Sequence, residues 1–265
     1  MKRSIPFKKY QGAGNDFVIV DNRAETFIGR FDTELIQRMC DRRFGIGADG
    51  LMLLQNHPGY DFEMVYFNSD GRESTMCGNG GRCLAAFAAS LGFLNENRCH
   101  FIAIDGPHDA VIVRPDWVEL RLGDVREIEK GAGFFCLNTG SPHYVRFVED
   151  ARHLDVNAEG RAVRYSERFV AEGINVNFVE ETAEGLLVLT YERGVEAETL
   201  SCGTGVTASA LAYSLKMQQK GAVSVPIITK GGRLEVKFQA QDEGFSDVWL
   251  CGPAVEVFEG VYWQQ

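Results

Sequence analysis

The stretch Asn68-Ser-Asp-Gly-Arg-Glu-Ser-Thr-Met-Cys77-Gly-Asn-Gly-Gly-Arg-Cys83 has an echo downstream, Glu192-Arg-Gly-Val-Glu-Ala-Glu-Thr-Leu-Ser-Cys202-Gly-Thr-Gly205. Superimposing Cys77 on Cys202 also aligns Tyr66 with Tyr191, Glu73 with Glu198, Gly78 with Gly203 and Gly80 with Gly205. Each copy places Cys-Gly-x-Gly just before an alanine-rich apolar segment. Leu84, Phe87, Ala88 and Leu91 recur at helical spacing after the first, and Ala208, Leu211, Ala212 and Leu215 after the second. The pattern predicts two buried helices, each with a cysteine at or just before its first turn. Weaker matches extend the duplication: Gly14-Asn15 with Gly140-Ser141, and Gly45-Ile46 with Gly173-Ile174.

A cysteine in that position has particular chemistry. The first turn of a helix presents N–H groups without intrahelical partners and the positive end of the macrodipole. A thiol there ionises more readily, its pKa falling from about 8.5 to roughly 3.5–7.5. The same N–H groups bind carboxylates, and glycine permits close approach. Two such helix starts could set a sulfur on each side of one carbon. A lone cysteine is more often a small buried hydrophobe; the repeated context is what favours the reactive reading.

Composition sets the class. At 265 residues the chain is long enough for one large or two modest domains, and 45% apolar with 24% charged residues is ordinary for a globular protein. A net charge of −10 argues against nucleic acid or an anionic membrane as the main partner. The polar start and the lack of any long apolar run predict a soluble cytoplasmic protein. The 7 cysteines include no Cys-x-x-Cys and no metal-ligand spacing with histidine, so free thiols and no metal site are expected.

Along the chain, strands are predicted at about 7–10, 17–21, 51–55, 63–67, 99–104, 110–114 and 118–122, with Asp32 capping a helix over 33–41. The second half reads as strands at about 134–138, 144–147, 175–179 and 186–191, with a polar stretch over 149–168. After the second helix come strands at 223–229, 233–238, 248–251 and 255–261, with Lys230-Gly-Gly marking a hairpin. Gly45-Ile-Gly47-Ala-Asp-Gly50 matches G-x-G-x-x-G only formally, because a helix precedes it and a strand follows, the reverse of a dinucleotide site. The join between halves is placed in the 122–133 region.

These residues closely resemble the diaminopimelate epimerase family. The resemblance rests on Gly12-Ala-Gly14-Asn15-Asp16-Phe17, Asn68-x-Asp70-Gly71, Cys77-Gly-Asn-Gly-x-Arg-Cys83, Pro142-His143, Asn175-Val-Asn-Phe178, Glu192-Arg193-Gly194, Cys202-Gly-Thr-Gly205, Lys230-Gly-Gly232 and Gly252-Pro-Ala254, in family order. It implies an α/β (α+β) fold of two pseudo-symmetric domains, each a curled, mainly antiparallel β-sheet around a central helix, with the active site in the cleft between them. The domains are expected over 1–122 plus about 255–265, and over 123–254. The implied activity interconverts LL- and meso-diaminopimelate, in lysine and cell-wall precursor synthesis, by a homodimeric enzyme using neither metal nor pyridoxal phosphate.

By motif position, the resemblance makes Cys77 and Cys202 the acid/base pair, supported by His143 and Glu192. It makes Asn15, Asn68, Asn79, Asn175 and Arg193 substrate-binding residues, with Gly78, Gly203 and Thr204 around the substrate carboxylate. Taken singly, each asparagine reads equally as a turn residue, and the Glu-Arg pair as a surface ion pair. Three departures from the family pattern bear on substrate contacts: Ser141 before Pro-His, Gly50, and one additional residue in Gly194-Val-Glu-Ala-Glu198. Other readings stay open. Proline or hydroxyproline racemases resemble the same architecture but carry histidine where this chain has Asn79. A thiol–disulfide redox protein would use Cys77 and Cys202 as an exchanging pair, and a non-catalytic binding module would not need both sulfurs.

Overall fold

The computed structural model describes residues 4–24 and 27–264. The chain divides into two compact units, residues 1–120 with 252–265 and residues 121–251, so the divisions fall a few residues before those expected from sequence.

In chain order the first unit contains β1 (Ser4–Gly12), β2 (Asn15–Asp21), α1 (Thr33–Cys40), β3 (Gly50–Gln55), β4 (Phe62–Asn68), α2 (Gly78–Ser90), β5 (Arg98–Ala103), β6 (Gly106–Arg114) and β7 (Trp117–Arg121). The second has β8 (Ile128–Lys130), β9 (Phe135–Asn138), β10 (Pro142–Phe147), α3 (Val156–Arg164), β11 (Asn175–Thr182), β12 (Gly185–Glu192), β13 (Ala197–Thr199), α4 (Gly203–Lys216), β14 (Gly221–Thr229), β15 (Gly232–Gln241) and β16 (Gly244–Pro253). The final strand, β17 (Val255–Trp263), lies antiparallel to β1 in the first unit, with Ser4 opposite Trp263.

Each unit repeats one topology. In the first, the sheet order is β17-β1-β2-β3-β4-β5-β6-β7, with β2–β3 and β4–β5 parallel and the other pairs antiparallel. In the second it is β8-β9-β10-β11-β12-β14-β15-β16, with β10–β11 and β12–β14 parallel. Every parallel pair is bridged by a helix crossover, as parallel neighbours require. The fold is thus mixed α+β, with mainly antiparallel curled sheets. Helix α2 packs on β1, β2, β3, β6 and β17, and α4 on β9, β10, β11, β12, β14 and β15, so each sheet wraps round its central helix.

Both faces of the sheet are covered, which explains the unbroken apolar runs of β2 and β3. Val18, Val20, Leu51 and Leu53 join Ile36, Met39 and Cys40 of α1 in one buried cluster. Phe17 and Met52 point the other way, toward α2, where a side chain at Gly80 would collide with Met52. The second unit does the same: Val176 and Phe178 pack with Val156 beneath α3, leaving Asn175 and Asn177 on the alternate face.

Some sequence expectations need correction. The polar stretch 149–168 contains helix α3, capped by Asp155, whose side chain accepts from the Ala158 N–H at 2.9 Å. It went unseen because it buries only Val156 and Gly160. Strands β8 and β13, three residues each, carry too little pattern to be read. Asp32 does precede α1, but its carboxylate accepts from the Gly29 N–H rather than capping the helix. The glycines at 45 and 47 follow the end of α1, and Gly50 opens β3, where its backbone abuts the Phe67 carbonyl. Among the described residues, no helix is long and apolar enough to cross a membrane.

Candidate functional site

Cys77 and Cys202 are the N-cap residues of α2 and α4, in near-identical extended backbone (φ −107°, ψ 122° and φ −119°, ψ 114°). Their carbonyls accept the first intrahelical bonds, from Gly81 N–H at 2.7 Å and Val206 N–H at 2.9 Å. Both residues are partly exposed, whereas Cys40, Cys83, Cys99 and Cys251 are buried. Burial pushes the Cys40, Cys83 and Cys99 thiols up to about 12 and Cys136 up to about 11. Thiols held that high stay protonated at neutral pH. The helices are buried nearly all round rather than along one stripe; Leu91 and Leu215 lie at their partly exposed ends.

In the first unit, Gly78 and Asn79 form the buried first turn of α2. Arg82, on the next turn, is fully buried, and its guanidinium donates to Asn79 Oδ1 at 2.9 Å. Asn79 Nδ2 donates to Asn15 Oδ1 at 3.0 Å, and Asn15 Nδ2 to Asp49 Oδ2 at 2.7 Å. Arg42 bridges Asp49 and Asp16, and buried Lys9 reaches Asp16 at 2.7 Å. Burial alone would raise the Asp16 carboxyl, but hydrogen bonds from Arg42 and Lys9 outweigh it and hold it well below the usual range. Asn68 ends β4 with its side chain exposed.

The second unit holds a polar relay behind Cys202. His143, fully buried on β10, lies with Nε2 at 2.8 Å from Thr204 Oγ1, which is 3.5 Å from Cys202 Sγ. Asn177, also fully buried, places Nδ2 at 3.1 Å from His143 Nδ1. Burial pushes the His143 pKa down to about 3, and the charge of Arg193 acts the same way, so the ring is neutral. Gly203 is buried in the first turn of α4, and the Thr204 carbonyl accepts from Thr139 Oγ1 at 2.8 Å.

Asn175 lies opposite His143 across the parallel β10–β11 pair. It donates to Ser141 Oγ at 2.8 Å and the Pro142 carbonyl at 3.0 Å, and it accepts from the Arg193 N–H at 2.9 Å. It therefore braces the segment carrying Glu192 and Arg193. Glu192, at the end of β12, accepts from Thr199 Oγ1 at 3.0 Å; Arg193 is exposed and donates to the Glu172 carbonyl at 3.1 Å. The longer loop after Gly194 closes on itself: Glu196 accepts from the Gly194 N–H at 3.1 Å and from Tyr191 Oη at 3.2 Å, and pairs with Arg164 at 3.4 Å.

Within its own unit, then, each thiol gathers part of the predicted set: Asn15, Gly78 and Asn79 with Cys77, and His143, Gly203 and Thr204 with Cys202. Asn68 and Arg193 are exposed at strand ends. Sequence reading passed over Asn177, Thr190, Thr139 and Arg82. The signal for Asn177 was its place two residues after Asn175, which puts both amides on one face of β11.

The family model described as "Diaminopimelate epimerase" matches residues 7–126 and 135–256, one match in each half. A Flavobacterium psychrophilum protein named diaminopimelate epimerase is 50% identical over 95% of this chain and 97% of its own length. Its namesake from Chlorobaculum tepidum is 39% identical over 94% and 98%. Two solved structures share the fold at low identity. A Bacillus anthracis phenazine biosynthesis protein of the PhzF family has a TM-score of 0.77 at 13% identity, covering 98% of this chain and 99% of that one. A probable proline racemase from Agrobacterium radiobacter has a TM-score of 0.65 at 15% identity, covering 97% and 92%. With the duplicated Cys-Gly-x-Gly helix starts matched in both halves and identity reaching 50% over nearly the whole length, the chain belongs to the diaminopimelate epimerase family.

Proposed function

We propose that this chain interconverts LL- and meso-2,6-diaminopimelate by a two-base thiol/thiolate mechanism. The observation that carries the reading is the duplicated N-capping cysteine, Cys77 on α2 and Cys202 on α4, both partly exposed. One sulfur, as thiolate, takes the α-proton and becomes a thiol. The electron pair left on carbon spreads into the α-carboxylate, and the other sulfur, a thiol, delivers its proton to the opposite face and becomes the thiolate. Developing carboxylate charge is met by the first-turn N–H groups of Gly78 and Asn79 and of Gly203 and Thr204, which have no carbonyl within the helix to bond. His143 and Glu192 support the thiols and the α-ammonium; Asn15, Asn68, Asn79, Asn175 and Arg193 hold the rest of the substrate.

The reaction serves lysine and peptidoglycan precursor synthesis in the cytoplasm, and the working form is a homodimer. Support for the dimer comes from Val261 and Trp263, apolar, half-exposed or more, and on one face of β17 by strand alternation. The deciding experiment is incubation with LL-diaminopimelate in deuterium oxide, followed by NMR. Meso product with deuterium at one α-carbon is expected; its absence overturns the assignment.

A further inference from the structure

The duplicated halves have diverged behind their cysteines. In the first unit, Phe17 opposes Gly50 across the parallel β2–β3 pair, and Met52 follows Gly50 by two; in the second, His143 opposes Asn175 and Asn177 follows by two. Phe17 and Met52 are therefore the positional equivalents of His143 and Asn177. At these two positions the first unit carries apolar side chains packed toward Gly80, and the second holds a hydrogen-bonded relay.

The direction of that relay is fixed by groups that have no choice. Asn177 Nδ2 lies 3.1 Å from the Tyr144 carbonyl, which only accepts, so the amide nitrogen faces that side. Its oxygen accepts from Thr190 Oγ1 at 2.9 Å and occupies the space that a side chain at Gly205 would fill. Thus the contact at His143 Nδ1 is a donation from Asn177, and Nδ1 is the bare nitrogen. The ring proton sits on Nε2 and is given to Thr204 Oγ1, which leaves the threonine hydroxyl free to donate onward to Cys202 Sγ.

We propose that Asn177 is a positioning residue for the epimerase reaction: it holds His143 in the Nε2–H form, turning Thr204 into a hydrogen-bond donor that favours the thiolate of Cys202. A hydrogen bond donated to a sulfur stabilises its anion over its thiol. The charged groups on the adjoining end of β12 are Arg193, whose field disfavours an imidazolium at His143, and Glu192, which is engaged by Thr199. With burial and Arg193 acting together, the ring stays neutral and the direction unchanged. The proposal rests on the thiol mechanism above.

The test reads tautomer, reactivity and rate separately. In protein labelled with 15N-histidine, two-bond proton–nitrogen spectra should show His143, assigned by difference with His143→Gln, protonated on Nε2 alone. Asn177→Leu should give mixed tautomers and a kcat lower by on the order of 10-fold, the effect of one hydrogen bond to a charged group, with KM little changed. Site-resolved alkylation by iodoacetamide should slow at Cys202 but not at Cys77, which serves as the internal reference. Thr204→Val should slow alkylation at Cys202, and Thr204→Ser, which keeps the hydroxyl, should recover most of it. Nδ1–H in the wild-type ring, or Asn177→Leu with unchanged tautomer and kcat, overturns the relay. Should Asn177→Leu fail to fold, the wild-type spectrum and the Thr204 pair still decide. The tautomer needs no substrate, so a wild-type chain without epimerase activity defeats the proposed function and leaves the relay to be judged by its spectrum.

Discussion

The buried guanidinium of Arg82 donates to Asn79 Oδ1 at 2.9 Å, and this contact sets the direction of a chain of amides. From Arg82 the donations run through Asn79 and Asn15 to the Asp49 carboxylate. A cation at one end and an anion at the other leave neither amide free to flip. Arg82→Met should therefore destabilise the fold by about 1–3 kcal/mol, the cost of an unsatisfied buried polar group. It should also raise KM for diaminopimelate by disordering Asn79 and Asn15. Urea unfolding and steady-state kinetics check both; Arg82→Met with wild-type KM would detach this network from substrate binding.

The two thiols should be separately essential. Cys77→Ser and Cys202→Ser are each expected to lose epimerisation by roughly 10²–10⁴-fold, the usual contribution of an acid/base group, while staying folded. Circular dichroism and the deuterium-exchange assay distinguish the two effects. A single mutant keeping more than about a tenth of the wild-type rate contradicts the two-base assignment, since even the lower bound of that range exceeds it.

Alkylation should sort the cysteines by environment. Iodoacetamide at neutral pH is expected to modify Cys77 and Cys202 and spare Cys40, Cys83 and Cys99, whose thiols are buried and pushed up to about 12. Peptide mapping reads the outcome. Early labelling of Cys83 would show that α2 opens far more readily than its burial implies.

His143 should make the fold sensitive to acid. Its pKa falls from 6.5 in the unfolded chain to about 3 in the folded one. Between those values the unfolded state binds more protons, so this group's contribution to stability is lost as pH drops through the window. His143→Gln should lessen that loss. Urea midpoints at about pH 7 and about pH 5 measure the linkage; equal slopes in mutant and wild type would mean the ring is not held neutral by burial.

Substrate choice should depend on a charge remote from the reacting carbon. Arg193 is exposed beside Glu192, its backbone pinned by Asn175. A planar guanidinium there can grip the distal carboxylate with two parallel bonds. Lysine, which lacks that carboxylate, is expected to be a much poorer substrate than diaminopimelate, with 2-aminopimelate between them. Arg193→Lys should lower kcat/KM for diaminopimelate, because an ammonium cannot reproduce the fork. Lysine racemised as fast as diaminopimelate would point to a broader amino-acid racemase.

How much of this was legible follows from where each signal lies. The capping cysteines stand in a local motif, Cys-Gly-x-Gly before an alanine-rich run, and repetition multiplied its weight. Both helices proved buried, as their alanine-rich apolar runs predict, and each is enclosed by its sheet, as the family resemblance implies. Asn177 acquires its meaning only when β11 lies beside β10 and the Tyr144 carbonyl fixes its amide. Arg82 stands in the motif after Cys77 without a role assigned there, and its part appears only once it is buried against Asn79. Helix α3 docks through Gly160 against Tyr191, a contact made by the absence of a side chain.

The pairing of β17 with β1 has a consequence for the order of biosynthesis. The second unit, residues 121–251, is contiguous, and every strand of its sheet is in hand once β16 has been made. The first unit begins the chain yet lacks the neighbour of β1 until Val255–Trp263 emerges from the ribosome. Until then β1 offers a bare row of N–H and C=O groups, open to pairing with another chain. The half that is translated first is the last to be closed, and a chain cut off before Val255–Trp263 would keep every strand of its second unit while its first unit kept an aggregation-prone edge.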